Sequence, residues 1–197
     1  VLWLARELSK KGKKIAIVSR NYKAEVRGIA QVDPSQEEAA FYYGDEPALL
    51  AKDLSGIPVF VGPRKSETAA WAEMNEGPFD LILIDDGFQH TALHRDLDVV
   101  LIDATDRQSF DVVPLGRARE GREELQRADL ILLTKVNWTS VDQGNYMRSF
   151  LPDGVPVVEV GFKTCWPEID GDGPIGVFSG LARNELFAEQ ARKKYFG

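Results

Sequence analysis

The chain is poor in the residues that usually declare a chemistry. It has one cysteine, Cys165, in 197 residues, which excludes an internal disulfide framework and fits a reducing compartment. Its two histidines, His90 and His94, lie four apart. That spacing can put both on one helical face, but no further His or Cys lies in the stretch, and its strong acids suit a hard cation better than zinc. No apolar run approaches the ~20 residues of a transmembrane helix, and no signal peptide is visible. The net charge is −7, without a basic stripe or an aromatic-basic interleave, so nucleic acid is not expected as a partner. The densest basic run, Lys10, Lys11, Lys13 and Lys14, falls at an expected helix end, where cations are favourable. Three motifs of α/β enzymes are also missing: the phosphate loop G-x-x-x-x-G-K-S/T, the dinucleotide fingerprint G-x-G-x-x-G and the nucleophile elbow G-x-S-x-G. His94-Arg95-Asp96-Leu97 is like the catalytic loop of protein kinases, but nothing else of that signature set accompanies it.

What is present centres on residues 81–104. Leu81-Ile82-Leu83-Ile84 is an unbroken apolar run, as expected of a strand covered on both faces, and it ends in Asp85 and Asp86, followed by Gly87, Phe88, Gln89 and His90. Val99 to Ile102 is a second such run, ended by Asp103. Ligands of open parallel sheets bind outside the carboxyl ends of strands, and hard cations take oxygen ligands. An acid-ended strand is therefore a candidate Mg²⁺ and phosphate site. The alternative is that such aspartates merely cap loops or begin turns.

The rest of the chain alternates strand-like and helix-like segments. Val1 to Ser9 reads as an amphipathic helix, Lys14 to Ser19 and Ile57 to Gly62 as strands, and Arg64 to Glu76 as a helix ended by Gly77-Pro78. Arg20 and Tyr22 follow the first strand, where Arg offers a planar fork for phosphate or is simply an exposed loop residue. Asp33-Pro34-Ser35 is expected to open a short helix, with Ser35 and Glu38 at capping-box spacing. Asp45, with Glu46 and Pro47 behind it, sits where an N-cap is expected. A carboxylate there can cap the helix or act as a general base. Residues 106–121 form a long polar loop carrying Arg117, Arg119 and Glu120, which can meet phosphate and metal or form surface ion pairs. Beyond it come a helix from Glu123 to Ala128, a strand from Asp129 to Thr134, a helix from Asp142 to Phe150, a strand from Val155 to Val160, a loop or hairpin from Cys165 to Gly173, a strand from Ile175 to Ser179 and a helix from about Asn184 to Lys194. The expected fold is a single α/β domain over residues 1–197: a mostly parallel sheet with helices on both faces, and a lobe junction around 161–175.

Read together, the motifs resemble those of the tetraacyldisaccharide 4′-kinases, the lipid A 4′-kinases of Gram-negative bacteria. The resemblance rests on Asp85-Asp86-Gly87-Phe88-Gln89-His90 with His94-Arg95-Asp96-Leu97-Asp98 and Val99-Val100-Leu101-Ile102-Asp103. Val18-Ser19-Arg20-x-Tyr22, Gly44-Asp45-Glu46-Pro47, Pro114-Leu115-Gly116 with Arg119-Glu120, Arg127-Ala128-Asp129, Leu133-Thr134-Lys135 and Phe178-Ser179-Gly180-Leu181 support it in the same order.

The resemblance implies a P-loop NTPase-like kinase on the cytoplasmic face of the inner membrane. It would transfer the γ-phosphoryl of ATP, with Mg²⁺, to the 4′-hydroxyl of a tetraacylated glucosamine disaccharide 1-phosphate, the lipid A precursor. Asp45 then matches the base, with Glu46 beside it. Asp85 and Asp86 match the acidic strand end near Mg²⁺, and Glu120 a further carboxylate on the metal side. Arg20, Tyr22, Gln89, His90 and Arg119 match residues lining the nucleotide and sugar-phosphate cleft. The family's phosphate loop and its membrane-associating helix are expected upstream of Val1, so 197 residues by themselves are expected to lack kinase activity. A non-catalytic, ligand-binding or partner-binding relative is the alternative. Asn21, Lys23 and Ala24 replace glycines usual after Ser-Arg; Asn tolerates φ > 0 and Ala does so poorly, so that loop is expected to depart in shape. Arg183-Asn184 stand where the family often has His or Asn before Pro, so no histidine partner for the base carries over.

Overall fold

A computed structural model of the chain describes residues 1–169, 176 and 184–195. Its elements in order are α1 (Leu2–Lys10), β1 (Ile15–Arg20), β2 (Ala30–Gln31), α2 (Ala39–Tyr43), α3 (Asp45–Asp53), β3 (Val59–Gly62), α4 (Lys65–Glu76), β4 (Leu81–Ile84), β5 (Val99–Asp103), β6 (Leu130–Thr134), α5 (Val141–Arg148), β7 (Val157–Val160) and α6 (Asn184–Tyr195). Short 3₁₀ turns at Arg107–Phe110, Arg122–Arg127 and Val136–Trp138 complete the order. The strand expected at Ile175 to Ser179 and the Phe178-Ser179-Gly180-Leu181 motif lie outside the described residues.

Among the described residues the strands form two sheets rather than one, in the orders β2-β3-β1-β4 and β5-β6-β7. β1 pairs in parallel with both β3 and β4, and β6 with both β5 and β7, while the two-residue β2 runs antiparallel to β3. Period-two alternation divides the first sheet's core between its faces. Ile15, Ile17, Val59 and Val61 pack with Ala5 of α1 and with Tyr43, Leu50, Ala51 and Leu54 of the α2–α3 region. Ala16, Val18 and Phe60 face the other way, onto Ala72 of α4. Both faces are therefore covered, as the unbroken apolar runs require. In the second sheet Ile102, Ile131 and Leu133 pack with Met147 of α5, Phe110 and Ala128 on one face, and Leu101 on β5 is 63% exposed.

Helix–sheet contact is closest where β3 meets α4. A Cβ on Gly62 would lie 2.2 Å from the hydroxyl of Thr68, which is fully buried. Only glycine lets the strand end approach α4 this closely.

Several local expectations are corrected. Gly44, not Asp45, caps α3: its φ is +104°, and Asp45 is the first helical residue. The Ser35–Glu38 box does not form. Asp33 instead accepts hydrogen bonds from the Ser35 amide (2.9 Å) and hydroxyl (2.7 Å), and the helix begins only at Ala39. In the 21–24 loop the left-handed residue is Lys23, at φ +55°, while Ala24 is buried. The segment expected as a helix from Glu123 to Ala128 is a 3₁₀ turn.

Candidate active site

The site lies at the carboxyl ends of β1, β3 and β4, and each side chain reaches it for a local reason. Ser19 and Arg20 close β1. Ser19 is buried, and its hydroxyl donates to Oδ2 of Asp85 at 3.1 Å. Asp85 continues β4, its amide donating to Val18 O at 2.9 Å. The chain then turns sharply, with Asp86 at φ +51°. An aspartate tolerates this left-handed conformation better than most residues but still needs its surroundings to hold it.

Lys65 is bonded to this turn. It opens α4 directly after the end of β3 and is only 3% exposed. Its ammonium donates to the main-chain oxygens of both Asp85 and Asp86. Burial, first of all, pushes this ammonium below the usual lysine range, partly offset by Asp86 and Asp85.

The carboxylates and cations converge. Arg119, from the 106–121 loop, donates to Oδ2 of Asp86 at 2.7 Å and approaches Oε1 of Gln89 at 3.5 Å. Glu46, in the first turn of α3 beside Asp45, is held above the usual carboxyl range, chiefly by the negative charge of Asp85, then by burial and by Asp86. His90 is held below the usual imidazole range by burial, then by the charges of Lys65 and Arg20. Both causes favour the neutral ring, which can accept a hydrogen bond. The loop carrying Gln89 and His90 is braced by Arg95, which forms a fork with Asp98 (2.6 and 3.0 Å) and also donates to His90 O and Leu93 O.

Not every expected site residue joins. Glu120 pairs instead with Arg127 at 2.8 Å. Among the described residues no three His, Cys, Asp or Glu side chains come together as a metal group. Tyr22 is 69% exposed, with the Lys23 ammonium 5.3 Å from its ring centre. The donor set still fits Mg²⁺, which is commonly held by one or two carboxylates plus substrate phosphates and water. Asp85 and Asp86 supply the two carboxylates, with the Ser19 hydroxyl on the first. Beside the acidic pair, between the 106–121 loop and β5, lies a cavity of about 290 Å³, with Phe88 and Leu101 in its apolar wall and Gln89, Arg117 and Arg119 among its polar groups. A volume near 300 Å³ is at the low end for small-ligand sites.

Sequence reasoning missed Lys65. The signal was a lysine in the first turn of a helix, where the dipole disfavours a cation, directly behind a strand end that faces the ligand edge of a parallel sheet.

The chain is similar to known proteins over most of its length. The family profile described as "LpxK: Tetraacyldisaccharide-1-P 4'-kinase" matches residues 1–194. A tetraacyldisaccharide 4′-kinase of Bdellovibrio bacteriovorus is 42% identical over 153 residues, covering 77% of this chain and 45% of that protein. One of Chlamydia caviae is 39% identical over 137 residues, 68% of this chain and 36% of that protein. The crystal structure of the "apo" form of LpxK from Aquifex aeolicus in complex with ATP is similar in fold, with a TM-score of 0.63 and 30% identity over 80% of this chain and 47% of that one. The chain thus spans less than half the length of these relatives. With the acidic strand end, the arginine-bearing loop and the profile match in hand, the chain belongs to the tetraacyldisaccharide-1-P 4′-kinase family.

Proposed function

We propose that the protein containing this chain transfers the γ-phosphoryl group of ATP to the 4′-hydroxyl of a tetraacyldisaccharide 1-phosphate in lipid A biosynthesis. The observation that carries this reading is the convergence of Glu46, Asp85 and Asp86 with Lys65 and Arg119 at one sheet edge. Phosphoryl transfer is largely positioning and charge neutralisation, and these are the groups it needs.

Asp45 takes the proton of the attacking hydroxyl, with Glu46 beside it in the same helical turn. It stands at the start of α3, where the helix dipole favours a carboxylate, in the place a general base needs. Asp85 and Asp86 hold Mg²⁺, which when bound neutralises charge on the transferring phosphates. Glu120, paired with Arg127 and lining the same cavity as Gln89 and Arg119, is the further carboxylate on the metal side. Arg119 and Arg20 present cationic forks to phosphate oxygens, while Gln89, the neutral ring of His90 and Tyr22 line the cleft for the nucleotide and sugar phosphate. The phosphate loop and a membrane-associating helix are contributed by polypeptide outside these residues. The acylated substrate places the reaction at the cytoplasmic face of the inner membrane. Within the described residues no helix is long and apolar enough to cross a membrane.

The test is transfer from γ-labelled ATP to tetraacyldisaccharide 1-phosphate by the full-length protein. Labelled product is expected to carry its new phosphate at the 4′ position, and Asp45→Asn is expected to slow turnover by about 10²–10⁴-fold. Full-length protein that binds ATP and the lipid yet gives no product would overturn the reading.

A further inference from the structure

We propose that Lys65 is the positioning residue of the acidic pair: its ammonium, lying behind the Asp85–Asp86 turn, holds both main-chain carbonyls of the turn and so keeps both carboxylates toward the cleft. This role rests on the reading of Asp85 and Asp86 as the cation side of the site.

Three observations lead to it. Lys65 is 3% exposed, which is rare for a lysine, and it stands in the first turn of α4, where the helix dipole opposes a positive charge. Such a placement costs free energy twice, so it needs a compensating bond set. Those bonds go to the carbonyl oxygens of Asp85 and Asp86, not to their carboxylates. Finally, Asp86 sits at φ +51°, a left-handed conformation that a residue with a Cβ adopts less readily than glycine, so bonds to the carbonyls of the turn help to hold it.

The chemical consequence follows from the donor types. Carbonyl oxygens are hard ligands that can compete for a divalent cation. With Lys65 on both carbonyls, the oxygens left for a cation are those of the two carboxylates. These already have lateral contacts, Asp85 from the Ser19 hydroxyl and Asp86 from Arg119. Lys65 therefore acts through the two aspartates rather than on substrate.

Three variants separate this role from a simple charge effect. Lys65→Met keeps the stem and removes the donors, Lys65→Gln keeps N–H donors without charge, and Lys65→Arg keeps both. The first readout is amide exchange at Asp85, bonded to Val18 O at 2.9 Å, and at His90, bonded to Gly87 O at 2.9 Å, against the Ile17 amide in β1 as reference. The second is the affinity for Mn²⁺ as a cation probe, followed by its spin-resonance signal.

In Lys65→Met the two loop amides are expected to exchange at least about tenfold faster while Ile17 is unchanged, and Mn²⁺ affinity to fall about tenfold, the scale of losing an outer-shell partner. Lys65→Arg should restore both readouts, and Lys65→Gln should stay within about threefold of the parent. If Lys65 acted by charge alone, both neutral variants would bind Mn²⁺ more tightly. That result, or unchanged loop exchange in Lys65→Met, overturns the proposal. Lys65→Gln keeps the test readable if Lys65→Met does not fold.

Turnover distinguishes the two levels of inference. In the full-length protein Lys65→Met is expected to lower kcat at least about tenfold with KM for ATP nearly unchanged. A loosened turn and weakened Mn²⁺ binding with unchanged turnover would leave Lys65 in its role and sink the reading of the pair in phosphoryl transfer. Mn²⁺ binding that survives Asp85→Asn and Asp86→Asn would likewise remove the pair as the cation side, while amide exchange still decides whether Lys65 holds the turn.

Discussion

The two strand-end acids, Asp85 after β4 and Asp103 at the end of β5, are alike in sequence and opposite in the cation they meet. At Asp103 the lysine takes the carboxylate itself: Lys135 Nζ lies 2.6 Å from Oδ2, and Thr105 donates to Oδ1 through its amide (2.9 Å) and its hydroxyl (2.6 Å). At Asp85 and Asp86 the buried lysine takes the main-chain oxygens, and among the described residues the carboxylates meet a serine hydroxyl and an arginine side chain that is 63% exposed. One carboxylate is engaged by a lysine and a threonine of the fold, and the other two meet a hydroxyl and an exposed guanidinium. An acid at a strand end therefore declares neither role. What decides is whether the nearest lysine reaches the side chain or the backbone.

The largest effect expected from this contrast is on turnover. Asp86→Asn should cost about 10²–10³-fold in rate by removing one of the two carboxylates proposed to hold the cation that neutralises phosphate charge. It should change stability by no more than about 0.5 kcal/mol, because its pair with Arg119 is a surface one. Turnover is checked with the ATP-to-lipid assay and stability by urea unfolding. A large stability loss with normal turnover would erase the distinction between the two strand ends.

Lys135→Met should do the reverse, costing about 1–2 kcal/mol by leaving a half-buried carboxylate short of its partner. Asp103 is held below the usual carboxyl range: burial pushes it up, but Lys135 and Thr105 together push it further down. A depressed folded-state pKa means that the stabilisation is present above the ordinary aspartate value and is lost as pH falls through the depressed one. The variant should therefore show a flatter decline of unfolding free energy in acid than the parent. An equally steep decline would place the acid sensitivity elsewhere.

The smallest expected effect is at Glu46, whose carboxyl is held above its usual range chiefly by Asp85. Its charge in the folded state is a cost, fully present above the raised pKa and vanishing as pH falls toward the ordinary value. Glu46→Gln should stabilise the fold near neutral pH by a few tenths of a kcal/mol, since solvent screens so open a group. The gain should disappear in acid. A stabilisation that persists there would mean that the repulsion from Asp85 and Asp86 is not its source.

The strands were legible in the sequence because short apolar runs ended by acids, such as residues 81–84 and 99–102, match a covered strand and are too short for a buried helix. That they form two sheets was not legible, since the pairing of edges is not written in periodicity. β2, at two residues, is too short to carry any pattern. Capping spacing misled at Ser35 because Asp33 took the Ser35 amide, and at Asp45 because Gly44, one residue earlier, takes the φ of +104° that caps the helix. In the site, Asp85, Asp86, Gln89 and Arg119 were legible, and the structure brings them together. Lys65 was not, because a lysine in a helix reads as solvated surface until its burial is seen.

The close approach at Gly62 makes α4 a lever. Its fulcrum is the place where β3 touches Thr68, and Lys65 lies on the same first turn, three residues away from that threonine. A side chain at position 62 would meet the Thr68 hydroxyl, and relieving that clash by moving the helix outward would draw the ammonium off the two carbonyls. The tolerance of the acidic turn is thus set at a glycine that carries no functional group, by the width of one methyl.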